Sequence, residues 1–353
     1  MSDDIGRQRI VTPQSRDGEL EEQISVRPQT LDEYDVGQKE LIQQLRISIQ
    51  AARKRGDVLE HVLFDGPPGL GKTTLAHIIA NEMGVGIQKT SGPALERASD
   101  LVGHLTNLKR GDVFFIDEIH RLPRVVEEFM YPAMEDFRID FVVDSGPYAK
   151  TIPLNIEPFT MIGATTRAGM LTAPLRERFG IYHHLDFYTE EQLERIVLRA
   201  AGILGIPLEP GGALELARRS RGTARVVNRL LRRVRDFAEI MGDGVITHEM
   251  AGEALSAMRV DNAGLDDLDR RYLHAMIDYY GGGPVGLNAI AATLQQDEGT
   301  LEDVVEPYLL KIGFILRTSR GRQASVRAYE HLGIDKPPPP LPAGGQQALE
   351  LEG

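Results

Sequence analysis

The stretch "GPPGLGKTTLA", residues 66–76, decides the fold class of this chain. It follows "HVLFD" (61–65), an apolar run with strand character, and leads into "LAHIIANEMG" (75–84), whose apolar spacing is typical of a helix. A strand, a glycine-rich loop with the spacing G-x-x-x-x-G-K-T and a helix, in this order, predict a loop that binds phosphate. The alternative is a glycine-rich turn that only begins a helix, but a Lys-Thr pair has no turn-forming function.

The residues of this loop each suit a phosphate ligand. Three glycines let the backbone N–H groups point inward around an anion, namely Gly66, Gly69 and Gly71. A helix that begins near Lys72 adds the positive end of its dipole. The Lys72 ammonium can reach the β- and γ-phosphates, and the Thr73 hydroxyl can be a ligand of Mg²⁺. The loop therefore predicts binding of a nucleoside triphosphate, without indicating which process uses it.

The composition is typical of a soluble globular protein with two or three domains. The chain has 353 residues, of which 42% are hydrophobic and 26% charged, and it contains no cysteine for disulfides or thiolate metal sites. No apolar run approaches the roughly 20 residues that cross a membrane, and the N-terminal residues lack the apolar core of a secretory signal. We therefore expect a cytoplasmic protein. The net charge of −12 argues against indiscriminate coating of nucleic acid, but not against a local basic patch.

Two further apolar runs end in polar residues, as strands of a parallel α/β sheet do at its ligand-binding edge. "DVFFIDEIHRL" (112–122) ends its apolar part at Asp117 and Glu118, which can hold Mg²⁺ and deprotonate an attacking water. "FTMIGATT" (159–166) ends at two threonines, either of which can contact the γ-phosphate. The alternatives are that the acids cap the following turn and that the threonine hydroxyls do the same.

Helices are predicted after residue 188. "TEEQLERIVLRAAGILG" begins with a capping box of Thr189 and Gln192. Eight arginines fall between residues 218 and 235 with no acid among them, which fits a solvated helix face or a nucleic-acid contact. Beyond them, helices are predicted at 266–280, 285–296 and 300–312, the last with Thr300 and Asp303 as a variant capping box and a kink at Pro307.

The C-terminal domain, residues 261–332, is predicted to be a winged helix. "GFILRTSRGRQASVRAYEHLG" (313–333) is predicted to form two strands around a tight turn, which after three helices is the order of that fold. Five basic residues without an acid make a local footprint for phosphates here: Lys311, Arg317, Arg320, Arg322 and Arg327. The alternative is a solvated hairpin. No base-reading signature is visible, so we expect backbone binding without sequence preference.

Four motifs, "GPPGLGKTTLA", "FIDEIHRL", "GATTRAG" and "PLRERFG", in this order, resemble those of the AAA+ ATPases. "RPQTLDEYDVGQ" (27–38), "YPAMEDF" (131–137) and "NRLLRRVRDFAE" (228–239) resemble more closely the RuvB family of bacterial branch-migration motors, and the likeness spans residues 21–332. It implies an α/β P-loop AAA+ domain at 21–188, a small helical lid at 189–260 and a winged-helix DNA-binding domain at 261–332. Residues 1–20 and 333–353 are predicted to be flexible tails.

The resemblance also implies the functions of individual residues. ATP and Mg²⁺ are the implied cofactors, with Thr73 and Asp117 on the metal. The implied catalytic residues are Asp117, Glu118, a sensor at Thr165 or Thr166, and Arg178 as an arginine finger acting on the adjacent subunit. The implied nucleotide contacts are Val26, Arg27, the segment around Tyr34, Gly66, Gly69, Gly71, Lys72, Thr73, Thr74, Glu135, Asp136, Phe137, Tyr188 and Arg225. The implied DNA contacts are Arg317, Arg320 and Arg322.

Two positions depart from the family pattern. Asp35 is an extra residue between Tyr34 and the "VGQ" that follows, so it can shift the pocket for the base. Ala224 stands where the family usually has proline, so the first turn of the helix that carries Arg225 is expected to be looser.

The resemblance implies a hexameric ring that moves double-stranded DNA through Holliday junctions. The segment 136–156 is predicted to be a β-hairpin, either projecting from the sheet or lying at its edge, and the resemblance implies that it docks RuvA. RuvC is a further implied partner, and no membrane is expected. The other function that fits a phosphate loop and a winged helix is a nucleotide-gated DNA-binding switch, of the initiator or loader type, that does little work.

Overall fold

In the computed structural model, residues 26–34, 36–143 and 150–335 are described. The chain divides into two compact units, Met1–Asp267 and Leu268–Gly353. Asp35 lies outside the described residues, as do 1–25 and 336–353. The described residues include no helix that is both long and apolar enough to cross a membrane.

The first unit is built on a five-stranded parallel sheet with the strand order β2-β3-β6-β1-β7. Its strands are β1 Val62–Asp65, β2 Ile87–Ser91, β3 Val113–Asp117, β6 Thr160–Thr165 and β7 Ile181–His184. The three central strands are almost wholly buried, because apolar side chains on both faces pack against helices. All three strands predicted from the sequence are present. Their carboxyl ends meet at one edge, where Asp65 lies in register with Thr165.

In the part of the chain that the structure describes, five α-helices accompany the sheet. They are α1 Lys39–Arg55, α2 Lys72–Met83, α3 Ala98–Leu105, α4 Arg124–Glu135 and α5 Ala173–Glu177. The predicted helix after the glycine loop is α2, which begins at Lys72 directly after Gly71 and ends at Gly84 in a left-handed conformation.

The predicted hairpin is present as a separate two-stranded antiparallel sheet, made of β4 Arg138–Val143 and β5 Lys150–Asn155. In the described part of the chain these strands pair with each other and not with the five-stranded sheet. The edge-hairpin alternative is therefore wrong. Ile139 and Ile156, at the base of the hairpin, are buried in a core cluster that also contains Phe159.

The helical part of the first unit has four helices, namely α6 Glu190–Leu204, α7 Pro210–Arg218, α8 Ala224–Met241 and α9 His248–Ala257. The predicted capping box at the start of α6 is present, with Thr189 and Gln192 bonded reciprocally. Its apolar face is buried at Leu193, Val197 and Ala200.

The arginine-rich stretch is solvated only in part. Four of its eight arginines are buried: Arg219, Arg221, Arg229 and Arg232. Arg219, for example, donates to the Val260 carbonyl oxygen and pairs with Glu215. A buried guanidinium requires such partners, so the alternative of a solvated face is wrong for these four residues.

The second unit has the helices and the hairpin of a winged helix. Its helices are α10 Asp267–His274, α11 Leu287–Leu294, α12 Glu298–Thr300, α13 Glu306–Lys311 and α14 Val326–Leu332, and its strands are β8 Ile315–Thr318 and β9 Gly321–Ala324. A π-helical turn, Ala275–Tyr279, extends α10, and another, Leu301–Val305, joins α12 to α13.

Two expectations for this unit are wrong. The cap of the 300–312 helix is Asp297, whose side chain accepts from the Thr300 N–H, so Thr300 is not the N-cap. The second strand ends at Ala324, and the residues after Ser325 form α14 because their apolar residues Ala328 and Tyr329 are buried at helical spacing. The irregularity expected at Pro307 is present as the π-helical turn directly before α13.

Candidate nucleotide site and nucleic-acid interface

The phosphate loop has the backbone that its glycines were expected to allow. Gly66, Gly69 and Gly71 have φ of 133°, 84° and 103°, which L side chains rarely adopt. A Cβ at Gly66 would overlap the Leu185 carbonyl oxygen, and a Cβ at Gly71 would lie 2.8 Å from the Tyr34 hydroxyl. Glycine is therefore required at these positions by close approach as well as by conformation.

Lys72 lies at the floor of a cavity of about 200 Å³. Its side chain is buried, and its ammonium donates to the carbonyl oxygens of Gly66 at 2.6 Å and Pro67 at 3.0 Å. Burial lowers the pKa of Lys72 to about 8, although Asp117 and Glu118 favour its charged form. Thr73 and Thr74, at the start of α2, line the same cavity.

The acid pair lies at the same edge of the sheet. Asp117 ends β3 and Glu118 follows it with φ 51° and ψ 41°, a left-handed conformation that is unusual for a residue other than glycine. Both residues line the cavity, and the Glu118 N–H donates to Asp117 Oδ1 at 3.0 Å. The strained backbone directs the Glu118 carboxylate into the cleft instead of along the strand.

The two sensor candidates differ in what they face. Thr165 is buried, with its hydroxyl 2.9 Å from His120 Nδ1 and accepting from the Arg167 N–H at 2.9 Å. Thr166 lines the cavity, and its hydroxyl oxygen is buried without a hydrogen-bond partner among the described residues. A buried hydroxyl without a partner next to the phosphate loop is suited to an oxygen of a bound phosphate.

The opposite side of the cleft is formed by the N-terminal segment and the lid. Val26 and Arg27 line it, as does Arg225 from the first turn of α8. Burial lowers the pKa of both arginines, and Asp117 opposes the shift at Arg225. The Arg225 N–H also donates to the Gly69 carbonyl oxygen at 3.3 Å, so the lid contacts the phosphate loop directly.

Two tyrosines connect the base side of the cleft with the loop. The hydroxyls of Tyr34 and Tyr188 are 2.8 Å apart and lie 3.1 and 3.0 Å from the Leu70 carbonyl oxygen. Burial raises the pKa of Tyr188 to about 12, so the pair stays neutral and hydrogen-bonded at neutral pH. Tyr34 is thus held at the cleft beside the extra residue Asp35.

Four predicted site residues lie away from this cleft. Arg178 pairs with Glu135 at 3.0 Å, lies 4.3 Å from the centre of the Tyr131 ring and donates to the Pro174 carbonyl oxygen. Glu135 and Asp136 are exposed, and Phe137 packs edge-on against Phe159. The structure therefore brings Arg178 and Glu135 together, and neither residue lines the cleft of its own chain.

The oxygen donors of the cleft suit Mg²⁺. The Thr73 hydroxyl and the Asp117 carboxylate both line it, and such hard oxygens are the ligands that Mg²⁺ prefers. In the described ranges, no group of three or more His, Asp or Glu side chains is arranged so that it could hold a metal ion by itself. A magnesium ion here would therefore need the oxygens of the nucleotide and of water as its remaining ligands.

In the second unit, the predicted DNA contacts are joined by a buried acid. Arg317 and Arg322 lie opposite each other in β8 and β9, and both donate to Glu306, at 2.5 Å from Arg317 Nη2 and 2.8 Å from Arg322 Nε. Glu306 is fully buried and also accepts from the Tyr272 hydroxyl at 2.8 Å. Arg320 is exposed in the turn between the strands.

Glu306 remains charged in this position. Burial opposes its ionisation, but hydrogen bonds from Arg322, Tyr272 and Arg317 hold the pKa of Glu306 below its usual value. The two arginines are thus an oriented pair whose side chains remain partly exposed, at 46% for Arg317 and 19% for Arg322.

Sequence reasoning missed several residues of the nucleotide cleft. Arg199 of α6 donates to the Val26 carbonyl oxygen at 2.9 Å and to Glu33 at 3.1 Å, and it lines the cavity with Asn228. His120 was not singled out, although it stands two residues after Glu118. Its position within "DEIH" is the one available signal, whereas nothing in the sequence marks Arg199, 173 residues from its partner.

Comparison with known protein families assigns each of three consecutive parts of the chain to a domain family. Residues 26–185 match the "Holliday junction DNA helicase RuvB P-loop domain", residues 188–261 the "RuvB AAA lid domain" and residues 262–333 the "RuvB C-terminal winged helix domain". These three matches confirm the fold class predicted from the sequence.

Individual relatives agree. The Holliday junction branch migration complex subunit RuvB of Chloroflexus aurantiacus, from two strains, is 54% identical over 348 residues, which is 98% of this chain and 99% of the relative. The solved structure of the Thermotoga maritima RuvB Holliday junction branch migration motor is 47% identical, with a TM-score of 0.82 over 89% of this chain and 100% of that one. With its three domains, its nucleotide cleft and nearly its whole length matched, this chain belongs to the RuvB family.

Proposed function

We propose that this chain is an ATP-driven motor that moves DNA through Holliday junctions during recombination and repair. The observation that carries the proposal is the convergence of Lys72, Glu118, Thr166 and Arg225 on one cleft between the sheet edge and the lid. A cleft that joins two parts of a chain can change shape when its ligand is hydrolysed. Membership of the RuvB family favours the motor over the nucleotide-gated switch.

In the proposed reaction each group has one task. Lys72 holds the β- and γ-phosphates after its ammonium leaves the carbonyl oxygens of Gly66 and Pro67. Glu118 orients the attacking water and accepts its proton. Thr166 offers its hydroxyl to the γ-phosphate, and Arg225 stabilises negative charge from the lid side.

Magnesium would be held by Thr73 and Asp117, and when bound it neutralises charge on the phosphate oxygens. The base side of the nucleotide would lie between Val26, Arg27 and Tyr188.

The assembly is part of the same proposal. We infer a hexameric ring in which Arg178, with Glu135, faces the nucleotide of the adjacent subunit, because both lie away from their own cleft. The separate hairpin Arg138–Asn155 would dock RuvA, and RuvC is a further proposed partner. Double-stranded DNA would contact Arg317, Arg320 and Arg322 through its phosphates. The cytoplasmic location stays a prediction.

The decisive experiment couples ATP turnover to junction movement. The protein, with RuvA, is given a synthetic four-way junction and ATP, and dissociation of the junction into two duplexes is measured together with phosphate release. We expect sustained turnover and dissociation. The Glu118→Gln variant should bind ATP and release neither product, because an amide cannot accept the proton of water.

A protein that binds the junction and ATP without moving the junction would be the switch instead. ATP turnover by Glu118→Gln at the parent rate would show that the assignment of Asp117 and Glu118 as the catalytic acid pair is wrong.

A further inference from the structure

His120 lies between the acid pair and the end of the neighbouring strand. It stands in the short turn Ile119–Arg121, and its side chain is only 3% exposed. Its Nε2 is 3.6 Å from Glu118 Oε2, and its Nδ1 is 2.9 Å from Thr165 Oγ1. The imidazole therefore bridges the carboxylate that faces the cleft and the last residue of β6.

The hydrogen bonds around Thr165 allow His120 to be the tautomer that carries its hydrogen on Nε2. The Arg167 backbone N–H donates to Thr165 Oγ1, because an amide can only donate. Thr165 keeps its own hydroxyl hydrogen, which it can donate to His120 Nδ1 at 2.9 Å. An imidazole that accepts at Nδ1 carries its hydrogen on Nε2, and this nitrogen faces Glu118.

Glu118 needs such a neighbour. Its side chain lines the cleft and is 34% exposed. A carboxylate that must orient a water is effective only when it is held in place, since a misplacement of about 1 Å can cost about 10²-fold in rate. The Nε2–H of this buried imidazole, 3.6 Å from Glu118 Oε2, is a rigid donor that can reach hydrogen-bond distance when substrate is bound.

We propose that His120 is a positioning residue that holds Glu118 in line with the attacking water and links it to the end of β6. Thr165 orients the imidazole, and the next residue, Thr166, has its hydroxyl in the cleft. A displacement of the β6 end when the γ-phosphate binds or leaves is thus passed through Thr165 and His120 to Glu118. This inference rests on the proposed ATP hydrolysis and adds to it the group that controls its general base.

The first test needs no turnover. The full chain is labelled with ¹⁵N-histidine, and the His120 signals are assigned by their loss in His120→Gln. We expect the ring nitrogens of His120 to show the Nε2–H tautomer in the parent and to lose this preference in Thr165→Val, whereas Thr165→Ser should retain it.

His61 is an internal control for this measurement. Its Nδ1 accepts from the Met161 N–H and its Nε2 lies 3.0 Å from the Met134 carbonyl oxygen, so its tautomer should not change. An Nδ1–H tautomer of His120 in the parent, or no response to Thr165→Val, would overturn the proposed bridge.

The second test separates positioning from folding. His120→Ala should lower kcat for ATP by about 10-fold or more while the Kd for ATP changes less than about two-fold. His120→Gln, which can still present an N–H to Glu118, should retain more of kcat than alanine. Thr165→Val should lower kcat, and adding it to His120→Ala should lower kcat no further, because Thr165 acts through His120.

An unchanged kcat in His120→Ala, a parallel loss of kcat and ATP affinity, or additive effects would each contradict the inference. If Glu118→Gln itself hydrolyses ATP, the proposed function fails. If Glu118→Gln is inactive and His120→Ala is fully active, only the role of His120 fails.

Discussion

A single buried histidine shows how one residue couples the fold of the first unit to pH. His61, directly before β1, accepts the Met161 N–H at Nδ1 and can donate to the Met134 carbonyl oxygen from Nε2, so its neutral form satisfies both neighbours. Burial lowers the pKa of His61 below 6.5, although the Met134 carbonyl and Glu60 favour the charged form. A proton on Nδ1 would also break the bond to Met161.

The lowered pKa predicts a loss of stability in acid. The unfolded chain binds this proton more readily than the folded one, so the contribution is complete above pH 6.5 and falls as the pH drops towards the folded pKa. We expect the melting temperature of the parent to fall more between pH 7.5 and 5.5 than that of His61→Gln, whose amide can make both bonds without titrating. An equal fall in both proteins would show that His61 does not contribute.

Among individual residues, the sequence predicted those that belong to a chemical motif. It missed those whose place in the site depends on contacts between distant parts of the chain. The spacing G-x-x-x-x-G-K-T specified Lys72 and Thr73, because phosphate binding needs those residue types at that spacing. The choice between Thr165 and Thr166 as the sensor stayed open, since strand alternation alone does not say which hydroxyl faces the γ-phosphate. The contacts of Arg199 form only when distant parts of the chain fold together, so no local sequence pattern marks this residue.

At the scale of elements, the start of α8 does not need the proline that the family usually has. Thr223 is its N-cap and accepts from the Val226 N–H at 3.3 Å, and Arg225 bonds to the Gly69 carbonyl oxygen. These two bonds hold the first turn, so the looser turn expected from Ala224 has compensating contacts.

Proline should nevertheless stabilise this helix. Ala224 is the first residue of α8, its N–H has no acceptor in the described part of the chain, and Thr223 before it is extended, with φ −127° and ψ 137°. We expect Ala224→Pro to raise the free energy of unfolding by about 0.4–1 kcal/mol.

Ala238→Pro, in the interior of the same helix, is the matched control and should cost about 3 kcal/mol or more. Denaturant unfolding of the three proteins measures both changes. A loss of stability in Ala224→Pro would mean that the first turn is strained in a way its dihedral angles do not suggest.

The wing is the second element whose behaviour can be tested. Replacing Arg317 and Arg322 by alanine alone would leave the buried carboxylate of Glu306 without its cations, which is itself destabilising. The triple variant Arg317→Ala, Arg322→Ala, Glu306→Gln avoids that charge. We expect it to bind all duplex sequences more weakly to a similar degree, with the salt slope of binding reduced by about two, or one for each lost phosphate contact.

Two comparisons accompany this measurement. Glu306→Gln alone, with both arginines retained, separates loss of the phosphate contacts from loss of the buried acid. ATP hydrolysis without DNA should survive in the triple variant, because its three positions lie in the second unit. A change confined to one DNA sequence would indicate base readout and contradict the proposed backbone contact.

Element types were predicted more reliably than their ends. The apolar strands and the Thr189 capping box follow from local sequence, and both are present. The residues of α14 were assigned to a strand because valine and arginine near a turn resemble a hairpin, whereas burial of Ala328 and Tyr329 at helical spacing determines the helix. The burial of Arg219 was likewise unpredictable, since one of its partners, the Val260 carbonyl oxygen, is 41 residues away in the sequence.

For the whole molecule, the remaining question is which contacts a ring would use. Arg178 is 21% exposed and is held in its own chain by Glu135 and the Tyr131 ring. A salt bridge within one subunit is one reading of this arrangement. The other reading is that the guanidinium reaches the nucleotide of a neighbouring subunit. The position of Arg178 outside the lining of its own cleft favours this reading.

Mixed rings distinguish these readings. A guanidinium that stabilises the transferring phosphoryl group of a neighbour is worth about 10³–10⁵ in rate, so Arg178→Ala should be nearly inactive. Lys72→Ala should be nearly inactive as well, because it lacks the ammonium that holds the β- and γ-phosphates. In a mixed ring, some interfaces combine the intact phosphate loop of an Arg178→Ala subunit with the intact arginine of a Lys72→Ala subunit. These interfaces should regain ATP hydrolysis, although junction movement can remain poor if the ring must cycle in order.

If Arg178 acted only within its own subunit, every subunit with a working loop would still be damaged. Mixed rings whose formation is verified by mass measurement, and which nevertheless recover no ATP hydrolysis, would therefore exclude the arginine finger.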